Sequence, residues 1–497
     1  MKYTALTIGP IIKSLSLAHK TRELWAASYF FSSIMERTIN NLSCNDVIII
    51  PYPQKKGLID ELSIDETQVL SAGIFPDHLL LESKEGLFGE LKHAVNTSLD
   101  SLISEFGFSC SVEQLKNFIS AHIIEFEYEP RKLENKEDNI IFQTGDFLAN
   151  CELQANYAAI DDECLSKMFD RIFETDFYKK IFKRNIFGTK GFPSILEIST
   201  QGLNTSGITF DDDTIVDEQI WALLKELNKD NLKVHHKYIA IVQADGDSIS
   251  EIIKQVTKEG NEKIKEFSKA LSGFSLLAAQ EIAKYKGFPV YAGGDDLLFF
   301  APVSNGKENV FYLLEKLDRI FEEQVTNKFA GIKPKASMSY GISISYYKFP
   351  MHEALTTARE LLFHKAKQKP KNAIAVKVLK HSGQAFEALL HKPLDKKFKA
   401  LLTEDKGLVI NSLMYGFDKF NVLLKESLDD NSNAKLENFF NNFYDEDIHT
   451  KSRDFIDDIK DILRKAHKEN DGDFEKTVSQ VNAQLRIIKF LNAKKDD

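Results

Sequence analysis

The chain has 497 residues, more than one simple hydrophobic core organises, so several structural units are expected. Its 74 acidic against 64 basic residues leave a formal charge of −10, which argues against a uniformly basic surface that coats nucleic acid. Four scattered cysteines (Cys44, Cys110, Cys151, Cys164) without a C-x-x-C exclude a disulfide framework and a zinc ribbon, and no apolar run reaches the ~18 residues of a membrane span, so a cytoplasmic protein with reduced thiols is expected.

In chain order, YTALTIG (3–9) has the continuous apolar character of a buried strand, and Ala18 to Leu42 follows with apolar positions at helical spacing. DVIIIPYP (46–53) and FPDHLLLES (75–83) are predicted strands, Leu87 to Phe106 a helix and AHIIEFEYEP (121–130) a strand. This order, β-α-β-β-α-β, is that of a ferredoxin-like unit over residues 1–138. Residues 139–235 are expected to be mainly helical, strongest in LQANYAAIDDECLSKMFDRIFETDFYKKIF and broken around Gly188, Gly191 and Gly202. The first pattern then returns over 236–383: KYIAIVQADGD (237–247) strand, Glu262 to Tyr285 helix, FPVYAGGDDLLFFAPV (288–303) hairpin, Asn309 to Thr326 helix and KASMSYGISISYYK (335–348) strand. A helix from Met351 to Lys367 and the strand AIAVKVL (373–379) complete it, and beyond His381 the chain is expected to stay helical, giving a C-terminal helical domain over 384–497. The fold class is therefore α+β: two ferredoxin-like domains, one helical insertion and a helical tail. The lysine-rich stretches His364 to Lys380 and Lys392 to Lys399 read either as the solvated face of a helix or as local nucleic-acid contacts.

The chemistry concentrates in the second βαββαβ unit. Asp245 ends an apolar strand, where a carboxylate projects into a crevice, and Asp245-Gly246-Asp247-Ser248 is predicted to turn, with Gly246 letting the backbone approach a metal or phosphate. Gly293-Gly294-Asp295-Asp296 stands between two short apolar strands, a hairpin signal that puts two acids at a tip. In a βαββαβ sheet the first strand and the hairpin are neighbours, so Asp245, Asp295 and Asp296 should meet. Hard oxygen donors of this kind suit Mg²⁺ or Mn²⁺, with Asp247 as a further candidate, and two such ions activate a 3′-hydroxyl and stabilise leaving pyrophosphate. Lys365, Lys367 and Lys371 are candidate triphosphate partners, and Ser337 and Ser339 share one strand face from which hydroxyls could reach phosphate. Against this stands the plain reading of G-G-D-D as a turn with solvated acids.

The segments ADGDSIS (244–250), AGGDDLLFF (292–300), ASMSYGISIS (336–345) and KAKQKPKNAIAVKVLKHSG (365–383), with TIGPIIKSLSLAHKTRELWAAS (7–28), IIIPYP and GIFPDHLLLES, resemble the large palm-domain subunit of type III CRISPR effector complexes, Cmr-type branch. GGDEF-type cyclases are a more remote likeness. The resemblance implies two facing palms, and assigns Gly246, Ser248, Gly293, Gly294, Ser337, Ser339, Lys367 and Lys371 to nucleotide binding, with Gly9, Arg22 and Trp25 lining a second pocket. It implies an ATP-using, target-RNA-activated nucleotidyltransferase that works with partner subunits, guide RNA and target RNA and forms either cyclic oligoadenylate or an S-adenosylmethionine conjugate. For the latter, Asp77 and Glu152 are the candidate acids for a cationic acceptor. The sequence contains no His-Asp dipeptide, so the DNase of HD-bearing relatives is not expected, and without their cysteine cluster neither is zinc. Ser250 stands where relatives close the D-G-x-x-x-G turn with glycine. The alternative is a catalytically silent scaffold subunit.

Overall fold

The computed structural model describes residues 1–16, 21–43, 45–69, 71–106, 116, 118–128, 139–154, 192–208, 210, 217–229, 231–429, 434–443 and 452–494. The middle of the helical insertion, including nearly all of LQANYAAIDDECLSKMFDRIFETDFYKKIF, lies outside them, as do Gly188, Gly191 and all the cysteines except Cys151.

The first sheet contains β1 (Lys2–Gly9), β2 (Ile48–Ile50), β3 (His78–Glu82) and β4 (Ser120–Glu127) in the spatial order β2-β3-β1-β4, all antiparallel. That is the ferredoxin-like order. Helices α1 (Thr21–Asn40) and α2 (Leu87–Phe106) are its crossovers, and α3 (Ile140–Gln154) follows β4 in the chain. β1 is buried on both faces, which explains its unbroken apolar run: Tyr3 and Ala5 join one core, Leu6 and Ile8 the other.

The second sheet has the order β10-β9-β8-β5-β7-β6, where β5 is Tyr238–Asp247, β6 Phe288–Gly293, β7 Asp296–Pro302, β8 Ser337–Tyr346, β9 Ala373–Leu379 and β10 Ala385–His391. Its last four members repeat the ferredoxin-like order; β9 runs parallel to β8 and β10 returns antiparallel. Two expectations are corrected here. The stretch after His381 opens with a strand, because Gly383 at φ 81° makes a hairpin turn and AFEALLH alternates, with Ala388 and Leu390 buried against exposed Leu389. The segment Asp245-Gly246-Asp247 is strand rather than turn, since β5 stays paired with β8 out to Asp247 opposite Ser337; the chain turns only at Ser248, which takes φ 61°.

A long helix, α5 (Asn261–Lys284), follows α4 (Ile249–Glu259) and lies between the two sheets. Ile264, Phe267, Ala270, Phe274, Ala278 and Ile282, at spacings of three and four, share one core with Tyr3, Ala5 and Leu80 of the first sheet and Val242 and Phe299 of the second. Its first residue, Asn261, donates to Glu82 Oε1 at 2.7 Å. α1 fills the other core, where Leu24, Trp25, Phe30 and Ile34 meet Phe288 and Val290 of β6. α6 (Val310–Phe321) covers the second sheet, and α7 (Met351–Leu361) ends in a wider π turn, Leu362–Ala366, before Lys367. Helices α8 (Gly407–Lys419) and α9 (Phe474–Asn492) belong to the helical tail. Among the described residues no helix is long and apolar enough to cross a membrane.

Candidate functional site

β5 pairs with β7 up to Ala244 opposite Leu297; one step further, the same register sets Asp245 beside Asp296 and Gly246 beside Asp295. The hairpin turn is Gly294-Asp295, closed by the pair Gly293–Asp296, with Gly294 at φ 69°. Ser275 of α5 donates to the Gly294 carbonyl at 2.9 Å and fixes the tip. The approach to β5 is tight enough to require glycine: a Cβ on Gly246 would fall 2.7 Å from Asp295 Oδ2. The Gly246 N–H donates to the Asp295 carboxylate, yet burial and the nearby charge of Asp247 raise that carboxyl to about 6. Burial, with the Asp295 charge next in weight, raises Asp296 to about 7. Carboxyls raised toward neutrality chiefly by lack of solvent, and further by neighbouring acids, are acids that a cation would ionise more readily. Asp245, Asp295 and Asp296 therefore fit a hard divalent ion, although their oxygens stand apart rather than within one tight cluster.

Asp245 is occupied by Lys367, whose ammonium pairs with its carboxylate and also donates to the Gly246 carbonyl at 3.0 Å. Burial, and then the charge of Lys371, bring the Lys367 amine down to about 8. Lys371 and Asn372 both take positive φ, and Lys371 lines a cavity of about 1080 Å³ with Asp247, Ser248, Ser337 and Asn372. Lys365 instead pairs with Glu387 of β10 and takes no part. Lys392, expected on a solvated face, is buried in the cavity wall, paired with Asp318 and 4.6 Å from the centre of the Tyr340 ring.

Asp247 holds the framework together. Its Oδ2 accepts from Ser339 at 2.7 Å, from Ser337 at 3.0 Å and from the Asn372 N–H at 3.0 Å, while Oδ1 is buried without a partner. The two serine hydroxyls are thus spent on Asp247 rather than left for phosphate. One Asp247 oxygen remains for a ligand.

The first palm reaches this site through a loop. The Trp25 indole donates to the Ser71 carbonyl at 2.5 Å, Ser32 Oγ accepts from the Phe75 N–H at 2.9 Å, and Gly73 forms a parallel bridge to Tyr291, accepting from Ala292 N–H at 2.8 Å. Trp25 is therefore core rather than pocket lining. This stitching brings Asp77 toward the hairpin, where its charge acts on both Asp296 and Tyr291. Thr7 donates to Glu152 at 2.6 Å, and Asp77, His78 and Glu152 are, among the described residues, the one trio of metal-capable donors whose atoms lie within 4.8 Å of one another. His78 Nδ1 lies 3.2 Å from Asp77 Oδ1. Gly9 ends β1 opposite Ser120, and Arg22 opens the buried helix α1; neither is brought to the three aspartates by any contact described.

Three participants were not legible as such. Tyr291 sits two residues before Gly293, and its hydroxyl lies where a Gly293 Cβ would be, 2.0 Å away, among Asp296, Asp77 and Asp295. The i, i+2 spacing on one strand was the available signal. Arg359 of α7 offsets part of the rise in Asp296, and His78 completes the Asp77 cluster; only the tertiary fold places them.

Fold and site together define a double-palm protein with a carboxylate hairpin on its second palm. Comparison with known families makes this specific: a model described as Cas10/Cmr2, second palm domain, matches residues 238–375, and one described as CRISPR-associated protein Cmr2, N-terminal, matches residues 3–106. Both palms are therefore similar to those of the Cas10/Cmr2 large subunits of type III CRISPR effector complexes. The Cmr2 subunit of the Cmr system of Pyrococcus furiosus is 29% identical over 208 residues, a match covering 36% of this chain and 23% of that protein. In fold, the chain is similar to the type III-B Cmr-beta complex seen by cryo-EM in the apo state (TM-score 0.56, 12% identity, 89% of this chain and 77% of that one). It is likewise similar to the Cmr-beta complex bound to cognate target RNA (TM-score 0.54, 12% identity, 89% and 78%).

Proposed function

We propose that the chain is a metal-dependent nucleotidyltransferase that transfers adenylyl groups from ATP to make a nucleotide second messenger, as the large subunit of a Cmr-type complex gated by target RNA. The observation that carries this reading is the convergence of the Asp295-Asp296 hairpin on Asp245 across Gly246, with both hairpin carboxyls raised as a cation-free metal site would have them. Asp245, Asp295 and Asp296 would hold Mg²⁺ or Mn²⁺, and Asp247, with one oxygen buried without a partner, lies close enough for its charge to act on Asp295. Bound metal supplies charge stabilisation to the transferring phosphoryl group. Lys367 then exchanges Asp245 for the triphosphate, and the cavity walled by Lys371 and Asn372 takes the rest of the nucleotide. Assembly with partner subunits is supported by Leu408, Tyr415, Val422 and Leu423, large apolar side chains left exposed on the helical tail. Guide and target RNA belong to that assembly.

For the acceptor, the cluster of Asp77 with Glu152, in which the Asp77 charge reaches Asp296, favours a cationic molecule, the α-amino and sulfonium groups of S-adenosylmethionine, over a second ATP. The test is to incubate the RNA-activated complex with ATP, with and without S-adenosylmethionine, and resolve the products by mass spectrometry. An adenylylated S-adenosylmethionine adduct that disappears in Asp77→Asn supports the acceptor assignment; cyclic oligoadenylate alone rejects it while leaving adenylyl transfer intact. Full product formation by the Asp295→Ala, Asp296→Ala double variant would instead favour the silent scaffold and reject the catalytic reading.

A further inference from the structure

At the end of the second sheet away from the aspartates, a cavity of about 560 Å³ opens between the β9–β10 hairpin and helices α8 and α9. It begins at Tyr238, seven residues and roughly 23 Å along β5 from Asp245 at about 3.3 Å per residue. Three cations converge there: Lys380 at the end of β9, and Arg486 and Lys489 one turn apart on α9. None of the three forms an ion pair with a carboxylate among the described residues; Lys489 donates only to Asn411 Oδ1, at 2.9 Å. Burial, then the charges of Lys489 and Arg486, pull the Lys380 amine below its ordinary range. Like charges gathered without a counter-charge cost the folded chain self-repulsion, which an anion would remove. The walls between them are apolar and aromatic: Tyr238, Phe386, Met414 and Phe490.

A second cavity, of about 260 Å³, shares Tyr238 and Val234 with the first and continues past Trp221, Tyr346, Lys233 and Lys237. Lys237 lies 5.2 Å from the centre of the Trp221 ring. Cations alternating with rings along two adjoining cavities match a strand of several nucleotides better than one small anion, because phosphates recur along a backbone and each base offers a face to stack. We infer that this groove binds single-stranded nucleic acid, with Lys380, Arg486 and Lys489 on successive phosphates and the aromatic walls against the bases. The site is separate from the adenylyl-transfer site and does not depend on it.

The test is fluorescence anisotropy of the full chain with a 5′-fluorescein-labelled 12-nucleotide oligouridylate, over a range of salt. The Lys380→Gln, Arg486→Gln, Lys489→Gln variant should bind at least about 10-fold more weakly, and its log-affinity against log-salt slope should be shallower by about 2, near 0.7 for each phosphate no longer neutralised. Its thermal midpoint should equal or exceed that of the wild type, and Lys380→Arg should keep the affinity. If the triple variant does not fold, each single glutamine variant must still lose about threefold for the inference to stand. Unchanged affinity and salt slope would overturn it. So would displacement of the oligonucleotide by AMP or polyglutamate as effectively as by unlabelled strand, since that marks a mononucleotide site or an indifferent polyanion surface. Asp295→Asn must leave the affinity unchanged; loss there would mean that the strand occupies the catalytic cleft, and would also reject the groove.

Discussion

Two neighbouring acids carry an electrostatic cost that is measurable residue by residue. Asp295 and Asp296 titrate in the folded chain near 6 and 7 instead of the ordinary 3.8, so folding takes up protons between those values. A raised carboxyl costs nothing well below pH 3.8, where folded and unfolded forms are both neutral, and costs most above pH 7, where the folded form must carry the charge. The Asp295→Asn, Asp296→Asn variant should therefore match the wild type in metal-free stability at pH ~3 and exceed it by about 1–3 kcal/mol at pH ~8. Urea unfolding at the two pH values checks this, and Mg²⁺ should stabilise the wild type alone. Lys367 and Lys365 provide a second contrast. Lys367→Ala should raise the KM for ATP roughly 10-fold, a loss of about 1.4 kcal/mol. Lys365→Ala should change it little, because Lys365 is committed to Glu387; steady-state kinetics of the two variants decide.

The hairpin works as an element because two glycines let three strands approach. A methyl group on Gly293 would meet the Tyr291 hydroxyl at 2.0 Å and its ring carbon at 2.3 Å. Gly293→Ala should consequently cost about 1–3 kcal/mol and lower product formation about 100-fold by tilting Asp296 off β5. Adding Tyr291→Ala removes the obstacle and should return most of the stability; a double variant as unstable as Gly293→Ala alone would rule out this clash as the cause. The hairpin was legible from its glycines between apolar strands, and β1, α2 and β8 from apolar runs and spacing. β10 was not, because its alternation buries only Ala388 and Leu390 in a lysine-rich neighbourhood and shows as a strand only once Gly383 turns it back onto β9.

Across the whole molecule, α5 and α1 each bury residues of both sheets, so neither palm has a core of its own. One cooperative transition is expected. The two tryptophans report on distant places, Trp25 beneath the first sheet and Trp221 against Tyr347 of the second palm. In Trp25→Phe and Trp221→Phe, the fluorescence midpoint in urea should coincide with the midpoint from far-UV circular dichroism. Separated midpoints would show that the palms unfold independently. The same shared cores make the site a product of both palms, since the loop from Ser71 to Asp77 is held by Trp25 and Ser32 on one side and by β6 on the other.

The two βαββαβ patterns, the strand carrying Asp245 and the G-G-D-D turn follow from amino-acid order alone, because periodicity and turn chemistry act over neighbouring residues. The same order singles out Asp77 and Glu152, though not that they meet. It took the packed chain to commit Asp247 to Ser337, Ser339 and Asn372, to seat Lys367 rather than Lys365 on Asp245, and to stand Tyr291 and His78 among the acids. Those outcomes depend on which buried polar groups find each other across strands far apart in the chain, and burial is a property of the packed whole.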